Sequence, residues 1–368
     1  MEVIHLILGK ANPDQMDVVS MVVYQLATQQ AASGRDVAVW GITKDLNTNY
    51  DESNFSTQLF QAYRNPFKLD NKLKEALLEK KSTATFHLHG GWVPIYSTVS
   101  KFLAKHNISF VITAHGSYNA VAMERNAFVK KIYFRFCEKE LLMNAKRIHV
   151  LSESEMEGLN KIFPNIKSFH LPYGFEAPQT FIAERAKGTD FIIGFVGQLD
   201  VYNKGLDLLI TAFEKFNNLK PNSKLLIIGD GEERLELIRM ISELNLQENI
   251  IMHEGKFGEE KNQLISEMTI FAYPSRNEGL PVSVLEACNM KVPAVVTHAT
   301  NIASYVEKYN AGIAVANDDS LALALAFLEL NMSWEYNELD AIKQNAKTMV
   351  AEAFNWDSII NEFDNLYL

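Results

Sequence analysis

Two features are scarce or missing in this chain of 368 residues, and each excludes a class of protein. Cysteine occurs only as Cys137 and Cys288, which is too few for a disulfide framework or a cysteine-based metal site. No apolar run is long enough to cross a bilayer. The opening MEVIHLILGK has an acidic second residue and no small-residue cleavage site, so it predicts a first β-strand and not a signal peptide. We therefore expect a cytoplasmic protein.

Basic residues are scarce in the second half of the chain. Residues 187–368 hold 14 Lys and Arg against 27 Asp and Glu, whereas residues 1–186 hold 21 against 18. The net charge of −10 and the lack of a reading motif argue against a nucleic-acid partner. Residues 101–150 are the exception, with nine basic and three acidic side chains. This strip predicts contact with an anionic membrane surface on the inner face of the plasma membrane, or a phosphate-bearing acceptor. A solvated helix face is the alternative.

Short apolar runs alternate with amphipathic stretches along both halves. This pattern is typical of βαβ units, in which helices cover both faces of a parallel sheet. The predicted strands are Val3–Leu8, Val37–Gly41, Thr85–Leu88, Phe110–Thr113, Arg147–Leu151 and Ser168–Leu171, then Phe191–Val196, Lys224–Ile228, Ile250–Met252, Met268–Ala272, Ala294–Val296 and Ile313–Val315.

The alternation is interrupted from Pro172 to Asp190, where Pro172, Gly174, Pro178 and Gly188 accumulate. Such a segment is typical of a domain hinge. The sequence predicts domains at residues 1–175 and 190–350, with a helix at 351–368 that packs back on the first domain. In doubly wound sheets, ligands bind outside the carboxyl ends of the strands. The loops that follow strands are therefore the candidate sites.

The segment PSRNEGLPVSVLEACNM follows one of these strands. Pro281 suits the first turn of a helix, which puts Glu278 in the loop and Glu286 on the helix. Free N–H groups at the helix start, with Gly279 allowing close approach, are suited to a diphosphate. Glu286 then lies where an acidic residue can accept hydrogen bonds from ribose hydroxyls. The alternative is a surface loop with acidic capping, which helix starts also favour.

Three further segments follow strands. In FVGQLDVYNKGLD, Lys204 stands at a helix start, where a positive charge is unfavourable unless an anion is present. In FVITAHGSYN and FHLHGGW, His115 and His89 come directly after strands, where an imidazole can bind a sugar hydroxyl or a phosphate oxygen. In NIIMHEGKF, residues 253–257 can form a wall for a nucleobase.

Taken in order, these segments resemble the retaining glycosyltransferases of family 4, the group 1 enzymes with the GT-B fold. AHG at 114–116, HVLSESE at 149–155 and LPYGFE at 171–176 also fit that family. The resemblance covers most of the chain and is strongest from Phe191 to Thr297. It implies an α/β protein of two Rossmann-like domains whose parallel sheets face each other across a cleft. It also implies a UDP- or GDP-sugar donor, a glycan or lipid-linked acceptor and no metal or other cofactor. The chain has no Asp-x-Asp triplet, which metal-dependent transferases of the other main fold use.

The resemblance also implies roles for individual residues. Lys204 neutralises the donor diphosphate, Glu286 binds the ribose, and Glu278 holds the donor sugar. His115 contacts the transferring sugar, so the expected catalytic set is His115, Lys204 and Glu278. The expected donor-binding residues are Gln198, Lys204, Lys256, Arg276, Glu278, Gly279, Leu280, Pro281 and Glu286. The expected acceptor-binding residues are His89, Gly91, Trp92 and Tyr118.

The chain departs from the family at three places. Gln198 stands where the family usually has Arg, and Arg276 is the expected substitute for that charge. The first βα loop reads ANPDQMDVV without the usual glycine pair, and THATNIAS replaces a Gly-Gly-x-x-Glu turn. The expected function is sugar transfer in the synthesis of bacterial surface polysaccharide or glycoconjugate. A nucleotide-sugar epimerase or phosphorylase of the same fold, or a non-catalytic sugar-nucleotide-binding protein, is the alternative.

Overall fold

The computed structural model describes residues 1–10, 18–47, 53–119, 123, 127–176, 190–276 and 278–368. The chain forms two compact units. The first unit contains Met1–Gly174 together with Trp356–Leu368, and the second contains Phe175–Asn355. The chain thus leaves the first unit at Gly174 and returns to it for its last helix.

The first unit is built on a seven-stranded sheet in the order β3-β2-β1-β4-β5-β6-β7, with every pair parallel. Its strands are β1 (Glu2–Leu8), β2 (Val37–Thr43), β3 (Ser56–Gln61), β4 (Ala84–His89), β5 (Phe110–Thr113), β6 (Arg147–Val150) and β7 (Ser168–His170). Its helices are α1 (Val18–Ala32), α2 (Asn71–Glu79), α3 (Pro94–Lys105), α4 (Ala127–Tyr133), a π-helical turn (Phe134–Glu138), α5 (Lys139–Asn144) and α6 (Glu153–Ile162).

The second unit is built on a six-stranded sheet in the order β10-β9-β8-β11-β12-β13, again parallel throughout. Its strands are β8 (Ile192–Val196), β9 (Lys224–Ile228), β10 (Ile250–His253), β11 (Ile270–Tyr273), β12 (Ala294–Thr297) and β13 (Gly312–Val315). Its helices are α7 (Leu206–Leu219), α8 (Arg234–Glu243), α9 (Gly258–Ser266), α10 (Val282–Asn289), α11 (Ala303–Tyr309), α12 (Ser320–Glu335) and α13 (Leu339–Ala353).

The last helix, α14 (Trp356–Tyr367), belongs to the first unit. Its apolar face buries Trp356, Ile360 and Phe363 in a cluster that includes Leu171 and Tyr173. Each large apolar side chain buried in this way contributes roughly 2 kcal/mol. The ring of Trp356 occupies the space that a Cβ on residue 174 would need, which explains the glycine there.

The predicted α/β fold of two Rossmann-like parallel sheets is confirmed. The sequence missed one strand, β3, whose residues are mostly exposed at the edge of the sheet and so form no apolar run. Between the predicted strands at 110–113 and 147–151, the sequence also predicts a helix near Glu124–Asn144. Among the described residues of that range, a π-helical turn separates α4 from α5.

Candidate active site

Each sheet has one switch point, where the strand order reverses and ligands bind in doubly wound folds. In the second unit this point lies between β8 and β11, which are direct neighbours. The loop after β8 carries Lys204, and the loop after β11 carries Glu278. Two predicted site residues that are distant in sequence thus come from the two loops at the switch point.

Lys204 and Glu278 meet directly, because the Lys204 ammonium forms an ion pair with Oε2 of Glu278. The hydroxyl of Tyr273 donates a 3.0 Å hydrogen bond to the same oxygen, and the Lys204 ammonium lies 5.7 Å from the centre of the Tyr273 ring. About a fifth of each charged side chain is exposed (19% for Lys204 and 21% for Glu278). The anion that the sequence required beside Lys204 is therefore, in this structure, the carboxylate of Glu278.

The backbone beside Lys204 is fixed by a close approach of the two loops. Gly205 adopts φ +68°, and a Cβ there would collide with the carbonyl oxygen of Pro274. The hydroxyl of Ser275 and the amide of Arg276 both donate to the carbonyl of Asn203, at 2.8 and 2.9 Å. These bonds hold the turn that carries Lys204 against the strand end that leads to Glu278.

Arg276 holds these loops together through its guanidinium group. Its guanidinium forms a two-bond ion pair with Asp207 (2.7 and 2.8 Å), contacts Asp318, and donates to the carbonyl of Tyr202 at 2.7 Å. The bond to Asp207 is the main reason that the pKa of Arg276 is raised. The expectation that Arg276 replaces the missing phosphate-binding Arg is therefore not favoured by the geometry, since a donor phosphate would have to displace two carboxylates.

The loop that leads into α10 is braced by the following turn. The amide of Glu278 donates to the carbonyl of Ala299 at 3.3 Å, and the amide of Asn301 donates to the carbonyl of Gly279 at 3.2 Å. Pro281 caps α10, one residue before its first helical residue. The segment THATNIAS, which departs from the family pattern, thus still supports the backbone of residues 278–281.

Glu286 lies on α10, and one of its oxygens accepts a 2.7 Å bond from the ammonium of Lys261. Sequence reasoning did not single out Lys261. A carboxylate oxygen has more than one lone pair and the second oxygen adds its own, so Glu286 retains capacity to accept hydroxyl hydrogen bonds. Lys261 holds the carboxylate in place without using up that capacity.

Two predicted donor-binding residues lie further out. Lys256 follows the edge strand β10 and pairs with Glu260 at 3.1 Å. Gln198 is exposed, directly after β8. Neither contacts the pair of Lys204 and Glu278 in this structure, and their roles stay predictions.

In the first unit the switch point lies between β1 and β4. His89 ends β4, and His115 follows the adjacent strand β5. Nδ1 of His89 lies 3.0 Å from Nε2 of His115. The structure thus brings together the two histidines that the sequence predicted. The loop after β1, in which the family's glycine pair is missing, falls on residues 11–17 and lies outside the described residues.

Among the predicted acceptor-binding residues, Tyr118 is fully buried. Its hydroxyl donates a 2.5 Å bond to Glu138, which also accepts the amide of Trp92 at 3.0 Å. Burial raises the pKa of both Tyr118 and Glu138. The geometry therefore gives Tyr118 a different position from the one expected: it supports the loop from inside and cannot touch an acceptor without unfolding that loop.

Gly91 and Trp92 lie at the surface of that loop. The indole N–H of Trp92 donates to the carbonyl of Ser117 at 3.1 Å, and a Cβ on residue 91 would come within 2.9 Å of the Ser117 Cβ. Trp92 is only partly buried. Gly91 therefore lets the two loops after β4 and β5 lie side by side, and Trp92 stays available for an acceptor.

A buried carboxylate lies beside the His115 loop. Glu155 of α6 accepts the amide of Leu151 at 3.0 Å. Burial raises the pKa of Glu155 to about 7, and the Leu151 bond together with the nearby amides of Gly116 and Tyr118 counteracts that rise. In the sequence, Ser152 followed three residues later by Glu155 predicts a capping box at the start of a helix. The 3.1 Å bond from the Glu155 amide to the Ser152 hydroxyl confirms that Ser152 caps α6.

Sequence reasoning missed the fully buried histidines His5, His87 and His149 behind His89. They lie on β1, β4 and β6, and His5 is directly opposite His87 in the strand register. A histidine inside a predicted buried strand was the available signal, because an imidazole in a core needs polar partners.

The comparisons with known proteins agree with this fold. Residues 177–349 match the family model described as glycosyl transferases group 1. An uncharacterized glycosyltransferase of Methanocaldococcus jannaschii is 25% identical over 68% of this chain and 54% of its own length. A second match in that organism covers 44% of the relative, so the chain spans about half the length of these curated relatives.

Two further similarities cover more of the chain. An alpha-1,4-N-acetyl-D-galactosaminyltransferase of Campylobacter jejuni, named for a PP-undecaprenol-linked substrate, is 25% identical over 82% of this chain and 78% of its own. The crystal structure of Anabaena Alr3699/HepE in complex with UDP matches with a TM-score of 0.70 at 15% identity, covering 99% of both chains. The second unit of this chain is therefore similar to group 1 glycosyl transferases over residues 177–349, and the whole chain has the two-sheet GT-B fold of glycosyltransferases of known structure.

Proposed function

We propose that this protein is a retaining glycosyltransferase that moves a sugar from a nucleotide-sugar donor, a UDP- or GDP-sugar, to a glycan or lipid-linked acceptor in the synthesis of bacterial surface polysaccharide. The observation that carries the proposal is the cluster of Lys204, Glu278 and Tyr273 at the switch point of the second unit. It lies in the region that matches the group 1 model.

The cluster suits a donor diphosphate because its charges can exchange partners. The ammonium of Lys204 is paired with the carboxylate of Glu278 in this structure, so the loop does not carry an uncompensated charge. An incoming diphosphate offers Lys204 a second anion, beside the N-terminus of α10, where backbone N–H groups favour negative charge. Glu278, still bonded to Tyr273, then becomes available to the sugar hydroxyls.

The acceptor is proposed to bind the first unit, at the loop after β4 that carries Gly91 and Trp92; His89, at the end of β4, is buried with both ring nitrogens hydrogen-bonded and supports this site from behind. Catalysis would consist mainly of positioning and of stabilising the charge on the leaving diphosphate. The acceptor hydroxyl is proposed to attack the anomeric carbon from the same face that the diphosphate leaves, so the new glycosidic bond forms where the bond to phosphate breaks and the configuration is retained. The leaving phosphate is proposed to take the proton of that hydroxyl. No metal is expected, because Lys204 and the start of α10 supply the positive potential.

The test compares Lys204→Ala with Lys215→Ala, an exposed lysine of α7, the helix that follows Lys204. A thermal-shift screen of UDP-, GDP- and ADP-sugars first identifies the donor, because a ligand that binds the native state raises its stability. Lys204→Ala should then lower turnover by roughly 100- to 1000-fold, the usual cost of losing one charge-stabilising group, whereas Lys215→Ala should not. Equal turnover in the two variants would contradict the assignment.

The stereochemistry and the alternatives need separate readouts. Proton NMR of the first product formed should show the donor's anomeric configuration, and an inverted product would contradict retention. A radiolabelled donor incubated without acceptor should stay unchanged. Conversion of the donor sugar under those conditions would identify an epimerase, and binding without transfer to any acceptor would identify a sugar-nucleotide-binding protein.

We also propose peripheral contact with an anionic membrane through α4 and the π-helical turn. Their outer face exposes Phe128 (76%), Val129 (65%) and Phe136 (67%), with Lys131 and Arg135 beside them. Apolar side chains flanked by basic ones are typical of interfacial helices. None of the described helices is both long enough and apolar enough to span a bilayer.

Liposome flotation tests this contact with Phe128→Ser and Phe136→Ser combined, against Phe257→Ser, an exposed phenylalanine (84%) of the second unit. The double variant should lose binding to vesicles that contain anionic lipid, and the control should keep it. Equal partitioning of wild type with and without anionic lipid would contradict the proposal.

A further inference from the structure

The buried histidines of the first unit form one continuous chain of hydrogen bonds that ends at His115. Its first half begins at the carbonyl of Leu171, which lies 2.7 Å from Nε2 of His149. Nδ1 of His149 contacts the Thr113 hydroxyl at 2.7 Å, and that hydroxyl contacts Nε2 of His87 at 2.6 Å. Nδ1 of His87 lies 3.0 Å from the hydroxyl of Tyr367, in α14.

The second half continues from Tyr367 to the candidate site. The amide nitrogen of Gln30 donates to the Tyr367 hydroxyl at 3.3 Å, and its amide oxygen lies 2.7 Å from Nε2 of His5. Nδ1 of His5 lies 2.9 Å from Nε2 of His89, and Nδ1 of His89 lies 3.0 Å from Nε2 of His115.

The proton positions in this hydrogen-bond chain follow from its first member, the carbonyl oxygen of Leu171. A carbonyl oxygen only accepts, so Nε2 of His149 must carry a hydrogen. Burial lowers the pKa of His149 to about 4, so the ring is neutral and its Nδ1 must accept. Thr113 therefore donates to His149 and accepts from Nε2–H of His87. The pKa of His87 is lowered well below its usual value by burial, so its Nδ1 accepts the hydroxyl hydrogen of Tyr367.

The same reasoning assigns the donors and acceptors from Tyr367 to His115. Tyr367 has already used its hydrogen, so it accepts from the amide of Gln30, whose oxygen accepts from Nε2–H of His5. Burial keeps His5 and His89 neutral, with the pKa of His5 lowered to about 4 and that of His89 well below its usual value. Each ring thus accepts at Nδ1 and donates at Nε2, and the last donor in the series is Nε2–H of His115.

We propose that this hydrogen-bond chain holds the proton of His115 on Nε2 and leaves Nδ1 as a lone-pair acceptor for a sugar hydroxyl. Among the described residues, nothing donates to Nδ1 of His115. His5, His89 and Tyr367 are then positioning residues, because they act on the ligand only through His115. The choice of ligand rests on the proposed function, whereas the proton positions do not.

The surroundings of His115 hold the ring where this acceptor is useful. The residue has φ +54°, and its ring stacks on Tyr173 with ring centres 5.8 Å apart. The carboxyl group of Glu155 lies near the amide of the next residue, Gly116. A neutral acceptor at this position selects for a hydroxyl group that can donate, and it disfavours a second acceptor such as a phosphate oxygen.

A metal ion is the competing use of these histidines. Nitrogen atoms of His5, His87 and His89 lie within 4.8 Å of one another. All six of their ring nitrogens are, however, engaged in the bonds described above. A bound metal would need ring nitrogens that carry no hydrogen and would break the hydrogen-bond chain. Metal binding and the hydrogen-bond chain therefore exclude each other.

The direct test is NMR of protein labelled with ¹⁵N-histidine, at pH 7.5 without any ligand. Protonated and bare imidazole nitrogens have well-separated ¹⁵N shifts, and His115→Gln identifies the signals of His115. We expect a single neutral form with the proton on Nε2. A proton on Nδ1, a charged ring, or a stoichiometric metal in elemental analysis of the same sample would overturn the inference.

The kinetic test uses two variants of similar size, His89→Asn and His89→Leu. The Asn side chain can place an oxygen near the position of the His89 Nδ1 and so can still accept from His115, whereas Leu cannot. Both remove the bond to His5 and leave a similar cavity, so a packing role alone would affect them equally. We expect His115 to keep one tautomer in His89→Asn and to lose it in His89→Leu, with kcat about fivefold lower in the Leu variant. Equal kcat values and equal spectra would overturn the inference.

The long-range test is Tyr367→Phe, with Tyr24→Phe as the control. Tyr24 is a partly buried tyrosine of α1 that is not part of the chain. Loss of the Tyr367 hydroxyl frees Gln30 to turn its amide, so a second His115 tautomer should appear in Tyr367→Phe and not in Tyr24→Phe. An unchanged His115 spectrum in Tyr367→Phe would overturn the inference that the hydrogen-bond chain sets the tautomer of His115. If no donor and acceptor pair gives transfer but the spectra follow these expectations, the proposed function is wrong, whereas the proton positions inferred for the hydrogen-bond chain are supported.

Discussion

The buried histidines predict that the first unit unfolds in mild acid. His5, His87, His89 and His149 are each at most 2% exposed. Burial lowers the pKa of His5 and of His149 to about 4, and that of His87 and His89 well below the usual 6.5. The folded unit therefore binds fewer protons than the unfolded chain. This contribution to stability is fully present above pH 6.5 and is lost as the pH falls toward 4.

The magnitude follows from the same values. A histidine whose pKa is about 4 in the folded unit loses about 1.4 kcal/mol for every pH unit below 6.5, or about 2 kcal/mol at pH 5. His5 and His149 together give about 4 kcal/mol, and the lowered pKa values of His87, His89 and His115 add to the loss in the same direction. Glu155 acts in the opposite direction, because a raised carboxyl pKa of about 7 stabilises the folded state as the pH falls, and it returns about 2 kcal/mol. The remaining loss of about 2 kcal/mol from His5 and His149, increased by the other buried histidines, is a large share of the 5–15 kcal/mol that hold a domain folded.

The assay is hydrogen exchange followed by mass spectrometry at pH 7.5 and pH 5.0, corrected for the intrinsic exchange rate. Peptides of β1, β4, β5 and β6 should lose most of their protection at pH 5.0. His149→Asn, which cannot titrate but keeps an acceptor for Thr113, should reduce the slope of stability against pH by about 1.4 kcal/mol per unit. If the first unit kept its stability to within about 1 kcal/mol at pH 5.0, the argument from burial would be refuted.

Three smaller predictions concern single positions. Gly205→Ala should destabilise the second unit by clearly more than Gly258→Ala in thermal melts. Both glycines have positive φ, a strain of roughly 1–2 kcal/mol for alanine, but only at Gly205 does the new Cβ collide with backbone. Glu286→Ala should raise the donor KM with a smaller change in kcat, because the ribose contact proposed for Glu286 would be equally strong in the ground state and the transition state; an unchanged donor KM would contradict this role. Tyr118→Phe should lower the stability of the first unit by about 1–3 kcal/mol, since the buried carboxyl of Glu138 loses a hydrogen bond, and a melting temperature equal to wild type would contradict it.

The sequence alone predicted the two parallel sheets. Continuous apolar runs such as 3–8 and 224–228 are typical of strands buried on both faces, and they appear as β1 and β9. The edge strand β3 was missed for the complementary reason, because its exposed residues carry no periodic apolar signal. Local signals also sufficed for the Ser152 cap of α6.

The sequence could also place Lys204, Glu278, His89 and His115 in loops after strands, because the edge on which a loop lies follows from the strand direction. It could not tell which side chains meet. That Lys204 pairs with Glu278 was decided by the strand order, which makes β8 and β11 neighbours.

Partner choice in the folded core was decided by tertiary structure alone. Arg276 is held by two aspartates from other loops, and Tyr118 is turned inward to a glutamate, although both looked like surface binding residues. His5 and Tyr367, at opposite ends of the chain, join one hydrogen-bond chain because α14 packs back on the first sheet. Burial periodicity is a property of neighbouring residues and can be read from the sequence. The pairing of buried polar groups depends on contacts between distant segments, and these exist only once the chain has folded.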